Sequence, residues 1–136
     1  MISNFIKKAA LLYPLAIASG ALCGEIEFIL KKAGLLDSFP VIIGAEKAVH
    51  GKPHPECYLT ALTELNKHFK KNPSIKPSEV LVIEDSVGGI MGAHHAGMPC
   101  LAVTNSYPEN DLIEADFIVD SLSDIDFKKI GHRFEK

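Results

Sequence analysis

Apolar positions along the chain follow two periods. Phe5, Ile6, Ala9 and Leu12 recur at helical spacing with Lys7 and Lys8 on the other side, predicting a helix over 3–12 that Pro14 keeps from continuing. LAIAS at 15–19 predicts a short buried strand ended by Gly20, and Ile26, Ile29, Leu30 and Ala33 predict a helix over 24–33 stopped by Gly34. PVIIG at 40–44 predicts a strand, and the polar loop AEKAVHGKPHPE follows it. From Pro55, the positions Tyr58, Leu59, Leu62, Leu65 and Phe69 predict a helix ending near Lys70 or Lys71. VLVI at 80–83 is the clearest strand and runs into Glu84, Asp85 and Ser86. A helix is expected over 87–96, with Val87, Ile90, Met91 and His94 on one side and Gly97 as its stop. CLAVT at 100–104 and DFIVDS at 116–121 complete the strands, and 122–130 is expected to form a small final helix. Apolar strands alternating with helices imply an α/β fold: a three-layer, Rossmann-like, mostly parallel sheet with helices on both faces.

The length of 136 residues suits a single domain over 1–136. A composition 47% hydrophobic and 23% charged, with 10 Gly and 8 Pro, excludes disordered, collagen-like and low-complexity chains. The net charge is -3, and Arg133 is the sole arginine, so a general nucleic-acid binder is not expected. Charge is uneven, with nine Lys against six acids over 1–72 and five basic residues against eleven acids over 73–136, a bias that solvated faces alone can produce. Cys23, Cys57 and Cys100 are widely spaced, lack a C-x-x-C pair and lie in or beside apolar segments, which reads as buried free thiols in a reducing compartment. The apolar stretches fall short of the ~20 residues of a membrane span, and Pro14 interrupts the opening one, so neither a membrane partner nor a signal peptide is expected and the assigned location is cytoplasmic.

Three segments carry candidate chemistry, each at a strand end or in the loop beyond it, where ligands of open α/β folds sit. In VLVIEDSVGGIMGAHHAG at 80–97 a buried strand delivers Glu84 and Asp85 to its polar end; Ser86 is placed to cap the next helix, and Gly88 and Gly89 allow close approach to it. Paired hard carboxylates suit Mg2+, although a surface acid beside a second capping residue gives the same pattern. In HGKPHPE at 50–56, Gly51, Pro53 and Pro55 restrict the backbone and present Lys52 either as a phosphate-neutralising charge or as an ordinary solvated lysine. In IASGAL at 17–22, Ser19 and the Gly20 amide are candidate phosphate donors or simply a turn. His50 and His54 are four apart but in a loop, and His94 and His95 face different ways on a helix. Without a cysteine pattern these imidazoles read as packing or surface groups rather than zinc ligands, and Met91 and Phe69 read as core or interface.

The order and separation of IASG, GKPHPE and VLVIEDSVGGI, together with AGLLDSFPVIIG and AHHAGMPCLAVTN, resemble the haloacid dehalogenase-like hydrolases, most closely the beta-phosphoglucomutase and phosphoglycolate phosphatase-like group, over about residues 5–125. The resemblance implies a Mg2+-dependent phosphatase or phosphomutase acting on a small phosphorylated metabolite through an aspartyl-phosphate. By it, Ser19 and Gly20 correspond to phosphate contacts and Lys52 to the lysine bridging phosphate and nucleophile. Asp85 corresponds to the direct Mg2+ ligand, and Glu84 to a ligand or its outer-shell partner.

The family's amino-terminal D-x-D-x-T/V segment has no counterpart before IASG. Residues 1–14 contain no acid, and the single D-x-D, Asp124–Ile125–Asp126, lies beyond every other motif. The cap inserted between those segments is missing as well, so the chain resembles an incomplete, carboxyl-terminal part of the hydrolase core and is expected to be inactive alone, with Mg2+ binding weak or absent. In the family the nucleophile strand lies between the IASG and EDS strands. Its place is expected to be closed directly, filled by another segment, or met by self-association or a complementing chain. Alternatives are one part of a split enzyme and a noncatalytic phosphate-binding or protein-interaction module. A phosphoreceiver domain is disfavoured because Ser19 and Lys52 precede Asp85 and no early acidic pair exists.

Overall fold

A computed structural model describes residues 2–129. The elements in chain order are α1 (Ile2–Leu12), β1 (Ala16–Ala18), α2 (Cys23–Ala33), β2 (Val41–Ile43), α3 (Glu56–Phe69), β3 (Val82–Glu84), α4 (Val87–His95), β4 (Cys100–Val103) and β5 (Phe117–Val119), with short 3-10 turns between several of them. Every strand pair is parallel, as apolar strands separated by helical crossovers require. The α/β fold, with helices flanking parallel sheets, is therefore present.

The strands form two sheets: β1 pairs with β2, and β3, β4 and β5 pair in that order. Neither β1 nor β3 hydrogen-bonds the other as a strand, so direct closure between them does not occur. One core nevertheless spans both sheets. The two-residue strand period sends Val41 and Ile43 of β2, Val82 of β3, and Cys100 and Ala102 of β4 into a cluster with Tyr58, Ala61, Leu62 and Leu65 of α3 and Ile90 and Ala93 of α4. Ile42 faces the other way and packs with Ile26, Leu30 and Leu35, against which Ile6 and Ile17 also rest. The β1–β2 pair thus lies between helical layers on both faces. Ile83, mid-strand on β3, is 41% exposed.

Local signals account for most boundaries. Gly34 and Gly97 adopt positive φ (73° and 78°) where α2 and the α4 segment end, and the Gly34 amide donates to Lys31 O at 3.1 Å. Ser86 Oγ accepts the Gly89 amide at 3.0 Å as the cap of α4. Several expectations are corrected. The strand read at 80–83 begins at Val82 and includes Glu84, because Pro77–Glu79 form a 3-10 turn whose last bond, Val80 N to Pro77 O at 3.0 Å, holds the chain back. The buried side of α4 is Gly89, Ile90, Gly92 and Ala93, whereas Val87 and Met91 are 41% and 42% exposed. Small residues let α4 sit close to α3 and β3, so the large apolar side chains turn outward. Phe69 and Leu59 are half-exposed on α3 for a related reason: Cys57 and Ala61 share its inner face with Tyr58, Leu62 and Leu65. Of the final helix expected over 122–130, Leu122–Asp124 form a 3-10 turn and 127–129 are helical, while Ile130 lies outside the described residues. All three cysteines are free; Cys57 and Cys100 are buried and Cys23 is half-buried.

Candidate functional site

The loop after β2 carries Lys52 to the carboxyl ends of both sheets. Its ammonium donates to the Ala18 carbonyl of β1 at 3.2 Å and pairs with Glu84 Oε2 at the end of β3. The side chains keep 24% and 10% of their exposure, so the pair is partly desolvated and held by hydrogen bonds on both sides. Tyr58, one turn into α3, donates to Glu84 Oε2 at 2.5 Å, lies 3.1 Å from Gly89 O, and presents its ring to the Lys52 ammonium at 5.2 Å. Burial, then the bond to Glu84, pushes the Tyr58 phenol well above its ordinary range. Glu84 Oε1 accepts the Asp85 amide at 3.3 Å.

Close packing maintains this arrangement. A Cβ on Gly89 would fall 2.1 Å from Glu84 Cδ, and one on Gly92 would fall 2.9 Å from Tyr58 Cε2. At Gly88 nothing lies within 4 Å, so of the two glycines read as permitting close approach only Gly89 is required for it. His95 Nδ1 lies 3.1 Å from Pro53 O and fastens the Lys52 loop to α4.

Ser19 follows β1 directly, its amide donating to Ile43 O at 2.9 Å and its Oγ accepting the Ala21 amide at 3.1 Å. The hydroxyl hydrogen is thus left to donate elsewhere. Gly20 is exposed beside it. Glu46 accepts the Cys23 amide at 2.9 Å, which holds its carboxyl below the usual range, and Gly44 lies so close to this turn that a Cβ there would come 2.6 Å from Cys23 N. Asp85 is half-buried, and its Oδ2 accepts from Ser106 Oγ at 3.0 Å in the loop beyond β4.

A family model described as haloacid dehalogenase-like hydrolase matches residues 2–103. The chain belongs to the haloacid dehalogenase-like hydrolases. This member is 32% identical over 118 residues to the validoxylamine A 7'-phosphate phosphatase of Streptomyces hygroscopicus subsp. limoneus, covering 87% of this chain and 52% of that protein. It is 36% identical over 120 residues to the bifunctional riboflavin kinase/FMN phosphatase of Arabidopsis thaliana, covering 87% of this chain and 30% of that protein. Among solved structures it superposes on the beta-phosphoglucomutase of Clostridium difficile with a TM-score of 0.80 at 26% identity, over 97% of this chain and 54% of that one. The chain therefore spans about half the length, or less, of these relatives.

Two side chains of this hydrolase core escaped the sequence reading. Helical spacing places Tyr58 among the apolar positions of α3, where a hydroxyl on the buried face demands a partner, and that demand is the available signal. Ser106 carried only a topological signal, since it follows a strand adjacent to β3. A cavity of about 730 Å3, lined by Pro73, Lys76, His94, Pro99 and Asp116 among others, opens near the starts of β4 and β5, at the opposite strand ends from Lys52. There His94 Nε2 lies 2.9 Å from Asp116 Oδ2, which also accepts the Cys100 amide at 2.8 Å. This pair ties α4 to the lead-in of β5. No helix among the described residues is long and apolar enough to cross a membrane.

Proposed function

We propose that this chain carries the phosphate-holding part of a magnesium-dependent phosphatase or phosphomutase acting on a small phosphorylated metabolite, and that it turns nothing over by itself. The observation that carries the reading is Lys52, a cation held between the end of β1 and the acidic end of β3. An ammonium has three donors, and two are engaged, so one N–H remains for an anion at the strand ends. The Ser19 hydroxyl and Gly20 amide supply further donors to phosphate. Glu84, whose oxygens meet Lys52, Tyr58 and the Asp85 amide, serves as the positioning partner of Lys52.

Asp85 offers a hard carboxylate whose Oδ2 is steadied by Ser106, leaving Oδ1 directed to no partner within the site described. One such carboxylate fits Mg2+, which retains waters and takes substrate phosphate oxygens rather than requiring an all-protein cage. Bound there, the ion would help neutralise charge on a transferring phosphoryl group. What the proposed site lacks is a nucleophile. Residues 1–14 hold no acid, Glu84 is committed to Lys52 and Tyr58, and the free oxygen of Asp85 is the one assigned here to Mg2+.

A complementing strand, as in a split enzyme, is the second reading. It is favoured by the separation of β1 from β3 and by exposed Ile83. The test is phosphomonoester hydrolysis with Mg2+ by protein of verified 136-residue mass. The expected rate equals that of D85A; robust turnover abolished by D85A, and surviving removal of trace full-length enzyme, overturns the proposed inactivity.

A further inference from the structure

We infer that His50, His54 and Glu56 form a site for a borderline transition-metal cation, with Zn2+ the preferred probe, on the outer side of the loop that presents Lys52. The inference goes beyond the phosphate-site reading and stands whether or not that reading holds. Gly51 and Pro53 preclude the helix that would align imidazoles four residues apart. The loop instead folds back on itself. His54 N donates to Gly51 O at 3.0 Å, and the Glu56 carboxylate accepts the amides of Val49 and His50 at 2.6 and 3.2 Å. This places the two imidazole rings 4.6 Å apart and nearly parallel, with His50 Nδ1 3.0 Å from Glu56 Oε1. The three ligand atoms lie within 4.8 Å of one another, the one such group among the described residues.

Two metal bonds of about 2.0–2.2 Å at a tetrahedral angle set ligand atoms about 3.3–3.5 Å apart, so coordination asks for side-chain shifts of little more than ~1 Å. Exposure allows them: the His50 and Glu56 side chains retain 62% and 26%, and water can complete the shell. Two imidazoles and one carboxylate suit Zn2+, Ni2+ or Cu2+ and discriminate against Mg2+. Glu56 is ionised through the neutral range, its carboxyl held down chiefly by the hydrogen bond from His50, so it offers a negative oxygen without proton loss. The Glu56 amide donates to His54 Nδ1 at 3.1 Å, which places that ring's proton on Nε2 in the metal-free loop. Coordination by His54 therefore gives up this amide contact.

Calorimetric titration of metal-free chain with Zn2+ at neutral pH reads the site without any assay of turnover, with the visible spectrum of the Co2+-substituted protein reporting its geometry. Expected is one saturable Zn2+ per chain, weakened by H50A and by H54A each by more than the ~10-fold cost of losing an outer-shell partner, and unchanged by D85A or excess Mg2+. Absence of saturable binding overturns the inference, as does binding that survives the H50A/H54A double variant or is abolished by D85A. Imidazole NMR of the unsubstituted chain guards against misfolding of the variants: Zn2+ must shift the rings of His50 and His54. Shifts confined to His68, His94, His95 or His132 overturn the site.

Discussion

Adding one methyl group at each of two adjacent glycines tests the packing that holds Lys52. Gly88 and Gly89 both lie in the first turn of α4 and neither has positive φ, so alanine suits the backbone of each. Replacing Gly with Ala in a helix returns ~0.5–1 kcal/mol. At Gly88 nothing lies within 4 Å, and the full gain is expected in G88A. At Gly89 the new Cβ would stand 2.1 Å from Glu84 Cδ and 2.2 Å from Oε1. Ordinary contact is ~3.5–4.0 Å, so the carboxylate must retreat by more than ~1 Å. It is not free to do so, because Lys52 and Tyr58 both bind its other oxygen. Overpacking of this kind costs ~1–3 kcal/mol, and disturbing a pair whose side chains keep only 24% and 10% exposure adds to it. After the propensity gain, G89A is expected to lose about 1–2 kcal/mol or more, giving a difference between the variants of ~2–3 kcal/mol. With a urea m-value of ~1–3 kcal/mol/M, the midpoints separate by about 1 M or more. Urea unfolding of both variants, followed by circular dichroism at matched m, measures it. A G89A midpoint at or above that of G88A refutes the packing argument.

Two further outcomes follow from the site's electrostatics and ligand count. Burial pushes the Cys100 thiol up to about 12 and raises Tyr58 further, so both remain protonated in the folded chain after their unfolded counterparts ionise. The unfolded state then binds fewer protons, and stability present below pH ~8.5 is lost above it at ~1.4 kcal/mol per unit for Cys100, with Tyr58 adding the same above ~10. Burial also raises the Cys57 thiol, so C100A should lessen the fall between about pH 8.5 and 10 without abolishing it, and Y58F should lessen only the part above it; a stability curve flat from about 8 to 10 contradicts the buried thiols. Calorimetry with Mg2+ alone should give weak or negligible binding, with phosphate improving it and K52A or D85A reducing that improvement. Tight, phosphate-independent Mg2+ binding untouched by D85A removes Asp85 from the proposed metal site.

The parallel α/β arrangement was legible because period-two and period-three-or-four apolar patterns alternate, and because Gly34, Gly97 and Ser86 mark helix ends by mechanisms that require no tertiary context. What failed was the orientation of α4. Val87 and Met91 are its conspicuous apolar residues, yet Gly89, Gly92 and Ala93 are buried, since close approach to Tyr58 and Glu84 needs absence of side chain rather than apolar bulk. Strand VLVI was overextended for a similar reason, as propensity does not register the Pro77 carbonyl that captures the Val80 amide. At the candidate site, the linear motifs delivered Lys52, Glu84 and Asp85 as separate strand-end residues, but the division between the two acids depends on partners 26 and 21 positions away, Tyr58 and Ser106.

That division follows from the pleat. Successive strand residues point to opposite sides, so a strand ending in Glu84 sends this carboxylate beneath the first turn of α4, where Gly89 leaves room and Tyr58 reaches it from α3. Asp85, the first residue past the strand, turns instead towards the loop beyond β4 and meets Ser106. One acid is consequently committed to fixing the Lys52 ammonium, and the other stands outside that pairing, bound to Ser106. Lys52 also occupies the Ala18 carbonyl, an acceptor on the edge of β1 that strand pairing leaves open here. The lysine thus satisfies a strand edge and a partly buried carboxylate while retaining one donor. The cation is held in place by the core, through Tyr58 and α4, rather than by continuity of a single sheet. The Lys52–Glu84 pair therefore joins the carboxyl ends of two separate sheets through side chains alone.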